Sequence, residues 1–278
     1  MRKKNNFSTV ILIVILVAGL SLLLYPTVSN WWNSTVSSYA VTKYQQQLAT
    51  IDQERYNKLW QEAIDYNQSL VERSNRFKLT AEQQLKYDSL LNIGGDGMMG
   101  YIEIPSQKIS LPVYHGTDEV ILQTAIGHLD WTSLPTGGVN THCVLSGHRG
   151  LPSARLFTDL DKVQLGEVIV LHILDEVLTY EVDQILIVFP EEAEELMIQD
   201  GKDLLTLVTC TPYGVNTHRL LVRGHRTENL KETVKIRVTA DAVIIEKLII
   251  APFLLVPMML IFLVIIAIPK KKKRRYYK

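Results

Sequence analysis

The sequence predicts a mainly β domain, a closed barrel or a sandwich with short helices. N-terminal helices precede it and two transmembrane helices flank it. Three observations carry this. Short β-type runs follow one another between Met99 and Arg226, broken by turn residues. A stretch upstream, residues 34–75, has no Gly or Pro and an amphipathic stripe. Near each end lies an apolar run bordered by basic residues.

Arg2, Lys3 and Lys4 precede the first apolar run, residues 10–24. Its length and flanks suit an uncleaved anchor, and they also suit a secretory signal cut after Thr27-Val28-Ser29. The second run, residues 248–268, matches the roughly 20 residues needed to span a hydrocarbon core. Pro252 and Pro257 disfavour a soluble helix but are tolerated in a membrane. Seven basic residues follow it, and the basic flanks place both termini in the cytoplasm. Removing those three and seven from the 29 basic residues leaves 19 against 29 acidic, a middle of net −10. Such a middle argues against a nucleic-acid binder, whose domain is basic.

Between the two runs, Val41, Tyr44, Leu48, Ile51, Leu59, Ala63 and Leu70 recur at three- and four-residue spacings or their multiples. Thr80 and Gln83 form a capping-box pattern for a second short helix through Leu91. Either helix could serve as a spacer or as a flap, and packing against the domain is the default. Gly94, Gly95, Gly97 and Gly100 mark a flexible junction; without a βαβ frame they are a weak phosphate signal. The strand candidates are residues 101–104, 109–114, 142–146, 168–174, 177–188, 204–210 and 219–222, with a hairpin turn at Asp175-Glu176. Short helices fit residues 119–128, 154–160 and 192–198.

The chemistry concentrates in "LVTCTPYGVNTHRLLVRGHR", residues 207–226, where a β-type run ends on one of the chain's two cysteines. A short turn would hold Cys210 and Arg219 close, and a guanidinium there can hold a carbonyl or a developing oxyanion. A cysteine nucleophile needs a partner to form thiolate, most often histidine. Seven histidines are available: His115, His128, His142, His148, His172, His218 and His225. His148 stands out because "VLSGHRGLP" ends an apolar strand in Gly-His-Arg-Gly. A metal site built on Cys143, His142, His148 and His218 lacks any CxxC or HxxxH spacing, so neither metal nor cofactor is expected. Cys143 and Cys210 form either a disulfide or a pair of one buried and one reactive thiol.

"TLVTCTPYGVNTHRLLVRG" and "THCVLSGHRGLPSARLFTDLD" resemble the two signatures of sortases, the surface transpeptidases of Gram-positive bacteria. "GYIEIP", "LPVYHGT" and "TSLPTGG" resemble those of the pilus-building class C, as do two spans with a basic tail. The resemblance covers roughly residues 100–226 and implies an eight-stranded sortase-type β-barrel with His148, Cys210 and Arg219 catalytic. It implies that Cys210 attacks the Thr–Gly carbonyl of an LPXTG-like sorting signal on a pilin. Arg219 would steady the oxyanion and His148 would protonate the departing amine. A lysine amine of another pilin then resolves the thioester. The alternatives are a sortase that anchors surface proteins to a cell-wall precursor, a hydrolytic cysteine protease and an inactive membrane-tethered pilin-binding scaffold.

The domain plan that follows begins with a cytoplasmic N-terminus over residues 1–7 and a transmembrane helix or signal-anchor over 8–28. An extracellular helical region at 29–97 leads into the catalytic barrel at 98–230. A juxtamembrane segment at 231–247, a transmembrane helix at 248–268 and a basic cytoplasmic tail at 269–278 complete it. The partners implied are pilins, an acceptor lysine and the cell membrane, with the catalytic domain on the outer face. One feature departs from class C, whose members carry an Asp-Pro-aromatic lid over the cleft. This chain has no proline between Pro26 and Pro105, and "YDSLLNIGGDGMMG" occupies the region. The groove at Cys210 is therefore expected to be largely open, with residues 78–98 packed beside the barrel or disordered. Tyr87 and Met98 are the candidates for any plug. Cys143, at a position more often small and apolar in the family, is expected to be a buried neighbour.

Overall fold

The computed structural model describes residues 6–73 and 76–229. These divide into two compact units, residues 6–27 and residues 28–229. The apolar run, residues 10–24, falls in the first unit on helix α1 (Asn6–Leu48); among the described residues α1 is the one helix long and apolar enough to cross a membrane. The second expected span, residues 248–268, lies outside the described residues.

In the second unit the amphipathic stretch is not one helix. α1 ends at Leu48 and α2 (Gln53–Glu72) restarts after a turn, because Asp52 caps it by accepting the Arg55 N–H at 2.7 Å. α3 (Ala81–Ser89) begins with the expected capping box between Thr80 and Gln83. It stops two residues short of Leu91, whose φ of 55° is left-handed and cannot continue a helix. Within this unit α1 (from residue 28 on), α2 and α3 all pack on the barrel, and none is a free spacer. Tyr44 donates to the Met99 carbonyl and accepts the Leu174 N–H, each at 2.8 Å. Asn67 exchanges hydrogen bonds with both backbone groups of Leu134, and the Tyr87 hydroxyl meets His128 Nδ1 at 2.8 Å.

Eight strands close the barrel: β1 (Met98–Ile104), β2 (Ile109–His115), β3 (Ile126–His128), β4 (Thr141–Ser146), β5 (Val168–Ile173), β6 (Glu176–Val188), β7 (Asp203–Thr211) and β8 (His218–Arg226). Around the barrel they run β1-β2-β3-β4-β7-β8-β6-β5, with β2/β3 and β4/β7 parallel and the other pairs antiparallel. β3 corrects the sequence reading, which had 119–128 as a helix. The helix there, α4 (Glu119–Leu122), is one turn, and Ile126, Gly127 and His128 are all buried, so no alternation distinguishes them from a helix segment. Gly127 is required at this crossing, since a Cβ would come within 2.2 Å of the Gly116 carbonyl oxygen. Of the other two expected helices only single 3-10 turns form, Leu160–Lys162 and Glu194–Leu196.

The core fills the barrel and continues under the helices: Ile102, Phe157, Leu171, Tyr180, Leu205 and Leu207 join Tyr44, Ala63, Leu70 and Tyr87 in one buried cluster. The strand directions then fix two ends. The C-terminal ends of β4 and β7 and the start of β8 share one end; the β5–β6 turn and the start of β1 share the other.

Candidate active site

β7 is buried from Leu204 to Thr209 and becomes half-exposed at Cys210, where it leaves the barrel. The antiparallel register sets Cys210 directly opposite Arg219 on β8, so both side chains lie on one face within about 5.5 Å at Cα. The Arg219 guanidinium is steadied by the turn that joins the strands, donating from Nη1 to the carbonyls of His218 at 3.1 Å and Asn216 at 3.3 Å. His148 reaches the same place from β4. Ser146 pairs with Val208 in parallel register, and two further residues bring His148 level with Cys210. Gly147 holds that extension: its N–H donates to the Val208 carbonyl at 3.1 Å, and its carbonyl accepts the Thr209 hydroxyl at 2.7 Å. His148 Nε2 lies 3.7 Å from Glu119 Oε2. The three sequence candidates therefore share one end of the barrel.

Cys143 sits elsewhere. It pairs with Leu205 inside the barrel core, and both cysteines are free thiols, so the disulfide alternative is set aside. Burial, with the Asp203 charge adding to it, pushes the Cys143 thiol well up, the reverse of what a nucleophile needs. The remaining histidines are occupied as structural groups. His115 and His128 lie under α3, where burial lowers both, His128 down to about 3. His142, down to about 4 through burial, bonds Met197 and Thr206. His172 stacks on Tyr101, His218 packs on Phe189, and His225 faces Asp183. Among the described residues no three His, Cys, Asp or Glu side chains gather as a metal site.

Sequence reasoning missed what surrounds the thiol. Val144, Val208, Leu221 and Leu196 form a second buried cluster on the outer face of the sheet, with Leu129, Trp131, Leu186 and Val188 against it. Val208 is two residues before Cys210 on the same face, so this apolar patch leads along β7 to the thiol. The β6–β7 connection lies over it, and His142 fixes that connection. One ring nitrogen of His142 meets the Met197 carbonyl at 2.8 Å and the other the Thr206 hydroxyl at 2.7 Å. Arg149 was read only as part of Gly-His-Arg-Gly. Its guanidinium joins Asp161 at 2.5 Å and the Thr211 hydroxyl at 3.3 Å, and lies 5.9 Å from the Tyr213 ring centroid. It thus braces the turn after Cys210 against the loop after His148.

The expected plug candidates are core residues: Tyr87 and Met98 are buried, and residues 78–98 pack against the barrel, one of the two outcomes anticipated. An aromatic does reach the patch from further upstream. Phe77, exposed, lies 5.0 Å from Trp131, ring to ring, at 52°.

A model of the sortase domain matches residues 102–227. Sortase C1 from Streptococcus agalactiae is 52% identical, with a TM-score of 0.68 over 69% of this chain and 100% of that one. The chain belongs to the sortase family. A Clostridium perfringens sortase C, solved with the C-terminal cell wall sorting motif, is 42% identical with a TM-score of 0.62, over 69% of this chain and 100% of its own. Sortase A from Streptococcus agalactiae is 29% identical over 223 residues, 79% of this chain and 84% of the relative. Both of these solved structures are sortase C enzymes, and the sortase barrel is the eight-stranded closed one described above.

Proposed function

We propose that this sortase joins pilin subunits. The Cys210 thiolate attacks the Thr–Gly carbonyl of an LPXTG-like sorting signal, and Arg219 receives the oxyanion of the tetrahedral intermediate. Collapse expels the glycine amine, which takes its proton from the His148 imidazolium, and leaves a thioester on Cys210. The lysine amine of a second pilin attacks that thioester, gives up a proton to His148, and returns the thiolate as an isopeptide bond forms. The Leu-Pro part of the signal lies on the half-buried rim of the apolar patch, at Leu129, Trp131, Leu186 and Val188.

The observation that carries this reading is Cys210 opposite Arg219 in register, with His148 level on the neighbouring strand. The chemistry needs those three groups together, and the other six histidines are engaged elsewhere. A sorting motif named with the Clostridium perfringens neighbour supports the substrate class. The domain plan completes the reading: residues 8–28 and 248–268 span the cell membrane, both termini are cytoplasmic and the barrel faces outward. Incubating the enzyme with a purified pilin that bears a sorting signal tests it. A ladder of covalent multimers supports polymerisation. Monomer carried onto a cell-wall precursor amine, with no ladder, would favour the anchoring alternative.

A further inference from the structure

At the end of the barrel opposite Cys210, a cavity of about 440 Å³ opens between the α1–α2 turn, the start of β1 and the β5–β6 turn. This lies within the range of about 300–1,000 Å³ usual for ligand sites. Its charge is one-sided: Asp52, Asp175 and Glu176 line it, and no lysine or arginine does. Among the described residues none of the three carboxylates has an ion-pair partner. Two of its aromatic walls, Tyr101 and Tyr56, are held in place. Tyr101 stacks on His172 with centroids 4.3 Å apart and planes within 8°, and its hydroxyl accepts Gln45 Nε2 at 3.0 Å. Tyr56 donates to Glu176 Oε1 at 2.9 Å, fixing ring and carboxylate together.

Aromatic rings beside carboxylates that no cation neutralises favour a cation, and preset rings lose little freedom on binding one. An anionic or neutral polar ligand would meet three like or idle charges. Leu48, Ile51 and Val177 at the cavity wall offer apolar surface to an alkyl stem behind the charge. We propose that this cavity binds a lysine side chain of a partner polypeptide. It is a docking site: by its place in the fold, a lysine held there is at the wrong end of the barrel to attack a thioester on Cys210. The proposal does not rest on the transpeptidase reading.

The test uses full-length protein in detergent micelles and saturation-transfer NMR, with Nα-acetyl-Gly-Lys-Gly amide as the probe. Transfer should reach the lysine δ and ε methylenes and be absent for the norleucine analogue, which keeps the stem and loses the charge. A double variant, Asp175→Asn with Glu176→Gln, should weaken probe binding at least fivefold; both positions are on an exposed turn. Asp175→Asn alone, which leaves the Tyr56–Glu176 bond intact, should give a smaller loss in the same direction. Equal transfer to the norleucine probe, or undiminished binding by the double variant, would overturn the proposal. Tighter binding of spermidine than of the peptide would also overturn it, by reassigning the site to free polyamines. Acylation of Cys210 by a sorting peptide, measured on the same variants, should be unchanged, which separates failure here from failure of the proposed reaction.

Discussion

Replacing Phe77 by alanine tests whether the apolar patch is the substrate track. The Phe77 and Trp131 rings lie 5.0 Å apart at 52°, a tilted pair worth about 0.5–1.5 kcal/mol beyond area burial. If the sorting peptide lies on the rim of the patch as proposed, it displaces Phe77 from Trp131. Removing the ring should therefore lower KM by about 2- to 12-fold, the same energy expressed as a ratio. The thiol itself is already half-exposed, and Phe77 touches Trp131, so the chemistry should be untouched. The assay is steady-state cleavage of a quenched fluorescent sorting peptide, fitted for kcat and KM separately, beside the rate of Cys210 alkylation by iodoacetamide. We expect kcat and alkylation each within twofold of wild type. An unchanged KM would show that the peptide does not use the patch. A tenfold rise in alkylation would show that Phe77 covers the thiol, and the open-groove account would then be wrong.

Cys210→Ala should abolish both the acyl-enzyme and the multimers, while Cys143→Ala keeps most activity; equal loss in a folded Cys143 variant, by circular dichroism, would contradict the assignment. Arg219→Lys keeps the charge but not the planar fork, and should lose about 10²–10³ in kcat, the usual cost of an oxyanion donor. His148→Ala should lose more, since thiolate formation and amine protonation fail together. The last of these predictions concerns acid. His128 and His142 stay neutral when folded, down to about pH 3 and 4, yet an unfolded histidine gains a proton near 6.5. The unfolded state thus binds more protons in that window, so stability is full above pH 6.5 and falls as pH drops toward 4. Each of the two contributes a slope of about 1.4 kcal/mol per pH unit within its window. Thermal melts across pH 4–7 should show this, and His142→Gln should flatten the slope.

The hairpin holding Cys210 and Arg219 was legible because both strands are continuous β-type runs around a short turn, so sequence distance fixes their spatial relation. The Thr80 capping box was legible for the same local reason. What escaped depends on pairings distant in sequence. β3 is three buried residues whose partners are at 113–115 and 145–146, and nothing local separates it from a helix end. The break at 49–52 turned on one cap, Asp52, inside a stretch otherwise helical. The patch draws on residues from 129 to 221, each an ordinary β-position apolar residue alone. The Phe77–Trp131 contact was hidden because the two rings are 54 residues apart in sequence.

The central claim is that Cys210 is the nucleophile of an acyl transfer. Mixing the protein with an LPXTG-type peptide, quenching in acid and mapping the adduct by mass spectrometry tests it directly. The account predicts an acyl mass on the peptide containing Cys210, lost on adding hydroxylamine and absent in Cys210→Ala. An adduct on Cys143, or peptide turnover that survives in Cys210→Ala, would contradict it.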